Sequence, residues 1–104
     1  MNKYINTNTL SENKLSRTAY ALMLPLILLS NRGNEINKKH FTKSINWITD
    51  YRTWKKYWAE LVNKDILVHL DKQIWMVSPY ECYPDGVSQA GLITKWNEAR
   101  NDRS

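Results

Sequence analysis

The stretch FTKSINWITDYRTWKKYWAELVNKDILVHLDKQIWMV, Phe41 to Val77, changes its hydrophobic period partway along. Its middle predicts a helix from Tyr51 to about Lys64, capped by Asp50 (or Thr49). Tyr51, Trp54, Trp58, Leu61 and Val62 recur at i, i+3, i+7, i+10 and i+11, which places them on one buried stripe. Arg52, Thr53, Lys55, Lys56, Ala59 and Asn63 fall on the opposite face. Past Lys64 the period drops toward two. Ile66–Leu70 and Ile74–Val77 are short β-rich runs, and Asp71-Lys72-Gln73 between them reads as a hairpin turn without the Asn-Gly signature. Upstream, Asn37 is placed to cap a helix from Lys38 to Ile45, in which Phe41 and Ile45 form an i, i+4 apolar pair. Asn46 to Thr49 then makes a tight connection of about four residues.

Outward from this segment the signals stay short. A first helix is predicted from about Ser16 to Ser30, with Ser16 as its cap and Pro25 expected to kink or split it. Asn31-Arg32-Gly33-Asn34 reads as a turn in which Gly33 takes the left-handed conformation, and Glu35-Ile36-Asn37 is briefly extended. After the hairpin, Ser78-Pro79 ends the strand, Tyr80 to Gly86 is irregular, and Pro84-Asp85-Gly86 signals a turn. Ser88 caps a last helix from about Gln89 to Asn101.

Helix, short strand, helix, tight turn, helix, hairpin is the order of a winged helix-turn-helix. The fold class expected is therefore α+β and mostly helical: a three-helix core, a β-hairpin wing and an extra C-terminal helix. Residues 1–10, rich in Asn and Thr, read as a flexible arm, and 11–104 as a single winged-helix domain. Within it 38–64 would be the helix-turn-helix, 66–77 the wing and 88–101 the C-terminal helix.

Composition narrows the function classes. A chain of 104 residues with 42% hydrophobic and 24% charged residues suits one globular domain. Its lone cysteine, Cys82, rules out an internal disulfide. The longest apolar run, Ala19 to Leu29, is half of what a membrane span needs (about 20 residues), and no cleavage site follows it. A soluble protein of the bacterial, or phage-infected, cytoplasm is expected, with no membrane partner. Net charge is +5, and it is uneven: residues 1–44 hold seven bases against Glu12 and Glu35, while the remainder is neutral. A basic half points to a polyanion.

The run from Phe41 through Val77 resembles the helix-turn-helix and wing of winged-helix proteins encoded by plasmids and phages. Its continuation, Met76-Val77-Ser78-Pro79-Tyr80, then Gly86, then Leu92-Ile93 and Trp96, is similar to RepL-type plasmid replication proteins. Those end the wing with a hydrophobic-x-Asn-Pro-aromatic pattern and carry a glycine before a final helix; here Ser78 stands in place of the Asn. The resemblance implies a DNA-binding protein of a mobile element, acting in transcription regulation or replication.

The residues that would do this are basic. Arg52, Lys55 and Lys56 share one side of the third helix, near the end that enters a major groove, and Thr53 would meet a base edge or thymine methyl. Lys38, Lys39 and Lys43 on the second helix and Lys72 at the hairpin tip would hold phosphates. Trp54 and Trp58 read as core, with Trp58 aimed at the first helix beneath the wing. Trp75 alternates with Ile74 and Met76, so it would face outward, either to stack on bases or to meet another segment or subunit. Leu92, Ile93 and Trp96 would cap the domain or make a homodimer, the first helix being the other dimer surface considered. A protein-interaction module using Trp75, Tyr80 and Tyr83 and a single-stranded nucleic-acid binder are the alternatives to duplex DNA. Chemistry has little support. His40 and His69 are far apart in the predicted topology, one cysteine cannot complete a zinc site, and Cys82 has no activating base nearby, so no catalytic residue, metal or cofactor is expected.

Overall fold

The structure is a computed structural model, and it describes residues 3–5 and 15–101. It forms an α+β domain of four helices and two antiparallel sheets in these residues: β1 (Lys3–Ile5), α1 (Arg17–Leu29), β2 (Glu35–Asn37), α2 (Lys38–Ser44), α3 (Tyr51–Asn63), β3 (Leu67–Asp71), β4 (Ile74–Val77), β5 (Cys82–Pro84) and α4 (Gln89–Asn101). None of the helices among the described residues is long and apolar enough to cross a membrane.

Local chemistry explains the boundaries. Ser16 Oγ accepts from Ala19 N at the start of α1, Asn37 Oδ1 from His40 N at α2, and Asp50 Oδ1 from Arg52 N at α3. The end of α3 is a Schellman motif: Ile66 N donates to Leu61 O and Asp65 N to Val62 O, with Asp65 at φ +60°. Leu61 and Ile66, both wholly buried, supply the apolar contact that accompanies this cap. A glycine usually announces such a stop; Asp65 does the work here. Helix α1 runs through Pro25 without splitting. The carbonyl that proline deprives of its donor belongs to the exposed Ala21.

Strands β2, β4 and β3 form a three-stranded sheet in that order, with Ile36 opposite Trp75 and Val68 opposite Met76. Both of its faces are covered. Ile36, Leu67 and Val77 join the core made with α1, α2 and α3, whereas Val68 and Met76 pack with Leu92 and Trp96 of α4. Leu92 and Trp96 are consequently buried (6% and 1% exposed) and Ile93 is half-buried. The apolar patch anticipated on α4 is spent inside the domain, which corrects its reading as spare surface for a dimer. Exposed apolar side chains occur instead on α1, at Tyr20, Leu24, Leu28 and Leu29.

Three further expectations need correction. Residues 3–5 of the supposed arm form β1, which pairs antiparallel with β5 (Ile5 opposite Cys82), so part of the irregular 80–86 stretch is a strand; residues 1–2 and 6–10 lie outside the described set. The left-handed residue of the 31–34 turn is Asn34 (φ +57°), not Gly33. Asn34 is wholly buried, and its Nδ2 donates to Val77 O (3.1 Å) and Cys82 O (2.8 Å) while its own carbonyl accepts from Val77 N. Short-range hydrogen bonding lets Asn tolerate this backbone region, where glycine would remove both side-chain bonds. The link between α2 and α3 spans 45–50, six residues rather than about four.

Ion pairs fasten the periphery. Lys95 reaches Glu35 at 2.6 Å, and this hydrogen bond holds the Glu35 carboxyl below its ordinary 4.5. Glu60 accepts from both Ser16 N (2.6 Å) and Ser16 Oγ (2.7 Å), which ties α3 to the start of α1.

Candidate nucleic-acid interface

The start of α2, the length of α3 and the turn of the hairpin converge on one open groove of about 660 Å³. The backbone joins two of its walls directly: Lys38 N donates to Gln73 O at 2.8 Å, next to the Asn37–Ile74 pair that ends the sheet. In the turn, Lys72 sits at φ +46°, and its carbonyl lies 2.8 Å from His69 Nε2, so the histidine braces the loop that carries Lys72.

Four lysines line the groove: Lys38 and Lys39 from α2, Lys55 from α3 and Lys72 from the turn. None of the lining residues is acidic. The floor is aromatic. Trp54 and Trp58 are buried core side chains that also line the groove; Phe41 packs against both, and Trp75 meets Trp58 edge-on at 5.4 Å between centroids. The Lys38 ammonium lies 5.1 Å from the Trp58 ring centre and 5.8 Å from that of Trp75, within cation–π range of both. Trp54 Nε1 donates to Ile48 O (3.2 Å), whereas the buried Nε1 of Trp58 has no hydrogen-bond partner.

Sequence periodicity had scattered these residues over three separate elements. The structure gathers Lys38, Lys39, Lys55 and Lys72 and leaves the other candidates elsewhere. Arg52 and Lys56 are exposed on α3 but do not line the groove; Lys56 lies over the Tyr57 ring at 5.4 Å. Thr53 belongs to the α3 cap, with Oγ1 donating to Asp50 Oδ2 (3.3 Å), and borders a different hollow beside Trp47 and Tyr57. Lys43 is exposed in the last turn of α2, also outside the groove.

Trp75 corrects the alternation argument. It is half-buried, lines the groove and faces Trp58 and His69, because Met76 beside it is turned to α4 and the Trp75 side of β4 to the main core. Trp58 packs against Phe41 and Trp75 within the core cluster that also contains the buried side of α1. Tyr51 departs from the core stripe in the other direction: it is 77% exposed at the groove's edge. Tyr83 is half-buried and stacks on Tyr4 at 5.0 Å, which leaves Tyr80 as the exposed member of the set considered for protein contact. Gln73 and Tyr51 went unnoticed as site residues; the only available signal was their adjacency to Lys72 and to the α3 cap.

Reactive centres are poorly provided for. Cys82 is wholly buried and burial pushes its thiol up to about 11, against an opposing influence from Lys3. No group of three His, Cys, Asp or Glu side chains among the described residues could hold a metal ion. Comparison with protein-family models, curated proteins and solved structures finds no match to this chain.

Proposed function

We propose that this domain is a winged helix-turn-helix that binds duplex DNA, with α3 as the recognition helix and the β3–β4 hairpin as the wing. The observation that carries the reading is the convergence of Lys38, Lys39, Lys55 and Lys72 on one acid-free face from three elements. The order α1, β2, α2, α3, β3, β4 and the sheet order β2-β4-β3 support it, because they set a hairpin directly beside the helix that follows the turn. In this reading the lysines neutralise phosphates on either side of a groove. Arg52 and Lys56, on the exposed side of α3, supply donors to base edges or further phosphates. A regulatory or replication role on a mobile element follows from the resemblance described above.

Salt dependence tests the proposal. Four phosphate contacts correspond to a slope of log K against log salt of about −3.6, so affinity for a 20-bp duplex is expected to fall roughly 150-fold between 50 and 200 mM NaCl. Fluorescence anisotropy measures it. Absence of binding at 50 mM, or affinity independent of salt, overturns the reading.

A further inference from the structure

The rim lysines account for phosphate, yet a flat phosphodiester surface has no use for the apolar floor between them. That floor is built from Trp54, Trp58 and Trp75, with Tyr51 standing exposed at its edge. Lys38 fixes the spacing: its ammonium lies within 6 Å of two indole faces at once. An anion paired with Lys38 therefore brings whatever is attached to it against the same rings. A ligand that combines a phosphate with a planar apolar group satisfies both halves of the groove, and nucleotides are that chemistry. The groove, at about 660 Å³, is within the range of about 300–1,000 Å³ that small-molecule sites occupy.

We propose that the groove accepts a single unstacked nucleotide, its phosphate on Lys38 and the neighbouring lysines and its base against Trp75 and Tyr51. This rests on the DNA reading and deepens it: a duplex engaged by α3 and the hairpin would be held most tightly where one base is unpaired. A free nucleotide offers the same chemistry, so the source has to be distinguished by experiment.

The test uses the full chain with four probes: a 12-bp blunt duplex, fluorescein-labelled (dT)12, dTMP and inorganic phosphate, read by anisotropy for the labelled strands and by tryptophan fluorescence for all. Base stacking on an aromatic side chain is worth about 1–3 kcal/mol, so Trp75→Leu and Tyr51→Ala should each weaken (dT)12 binding between about 5-fold and 150-fold. Duplex affinity should fall by less than (dT)12 affinity in each variant. Trp75→Leu is checked for folding by circular dichroism, and the exposed Tyr51 provides a variant that does not touch the core. Trp47→Ala, an exposed tryptophan outside the groove, should leave every probe unaffected. Quenching by (dT)12 that both groove variants lose identifies a strand as the source. Quenching by dTMP but not by phosphate or (dT)12 identifies a free nucleotide. Equal responses to dTMP and phosphate, no response to any nucleotide, or (dT)12 binding unchanged in both variants overturns the proposal. The duplex arm reports separately: duplex binding retained without nucleotide binding leaves the DNA reading standing, and nucleotide binding without duplex binding removes that reading alone.

Discussion

Trp58→Ala is expected to lower the free energy of unfolding by about 3–5 kcal/mol. Trp58 is 4% exposed, and its indole is packed between Phe41 and Trp75, with the Lys38 ammonium above it. Truncation removes the contacts of α3 with Phe41 of α2 and Trp75 of the hairpin at this position and leaves a cavity between those rings. Loss of the unpartnered Nε1 recovers a little of the cost. Small domains hold about 5–15 kcal/mol in total, so the urea midpoint should fall by a large fraction of its value. Lys56→Ala, two residues away on the exposed side, should shift stability by less than about 0.5 kcal/mol. A Trp58→Ala protein as stable as its parent would show that α3 is rotated from the orientation described.

Replacing Lys38, Lys39, Lys55 and Lys72 together by Gln should nearly eliminate duplex binding while the fold persists. Each lost phosphate contact removes about 0.9 from the salt slope, and at 0.1 M salt four of them amount to roughly a 10³- to 10⁴-fold loss of affinity. The effect depends on convergence: the four side chains border one groove with no acid among its lining residues. Lys43→Gln, also basic and also on α2 but outside the groove, should weaken binding by less than about 3-fold. Anisotropy titrations of the parent and both variants decide between a local site and general attraction. Comparable losses in the single Lys43 variant and the quadruple variant would sink the groove assignment. The cation–π contacts of Lys38 make its replacement the one member of the set with a small stability effect of its own, which denaturation of the quadruple variant measures.

The elements legible in the sequence were those fixed by local chemistry. Asn37, Asp50 and Ser16 cap helices where short polar side chains precede apolar periods, and the hairpin follows from two β-rich runs separated by a short polar turn. What escaped depends on partners remote in the chain. The alternation argument turns Trp75 outward because it treats Ile74 and Met76 as facing a single core, whereas Met76 faces α4 and Trp75 faces the main core at Trp58. Asn34 gives no periodic signal, since its worth lies in two carbonyls more than 40 residues away. The candidate site was legible as residue types and not as a place: lysines at 38, 39, 55 and 72 become neighbours only when Lys38 N bonds Gln73 O. The basic N-terminal half conveyed little, because the groove draws its charge from both halves of the chain.

The pairing of β1 with β5 has a kinetic consequence. It rests on two three-residue strands and therefore on few hydrogen bonds, whereas the β3–β4 hairpin closes over two residues and is paired again with β2. Lys3 is moored to the Ile27 and Ser30 carbonyls, and burial lowers its proton affinity. The N-terminal strand should therefore detach in excursions that leave the rest of the molecule folded. Ile5 lies opposite Cys82 and packs against the core cluster that holds it, so each excursion thins the cover over the thiol. Cys82 then serves as a clock for this motion. An aromatic disulfide reagent should label it faster than the domain unfolds globally, and labelling that proceeds only at the global unfolding rate would mean that the strand opens with everything else.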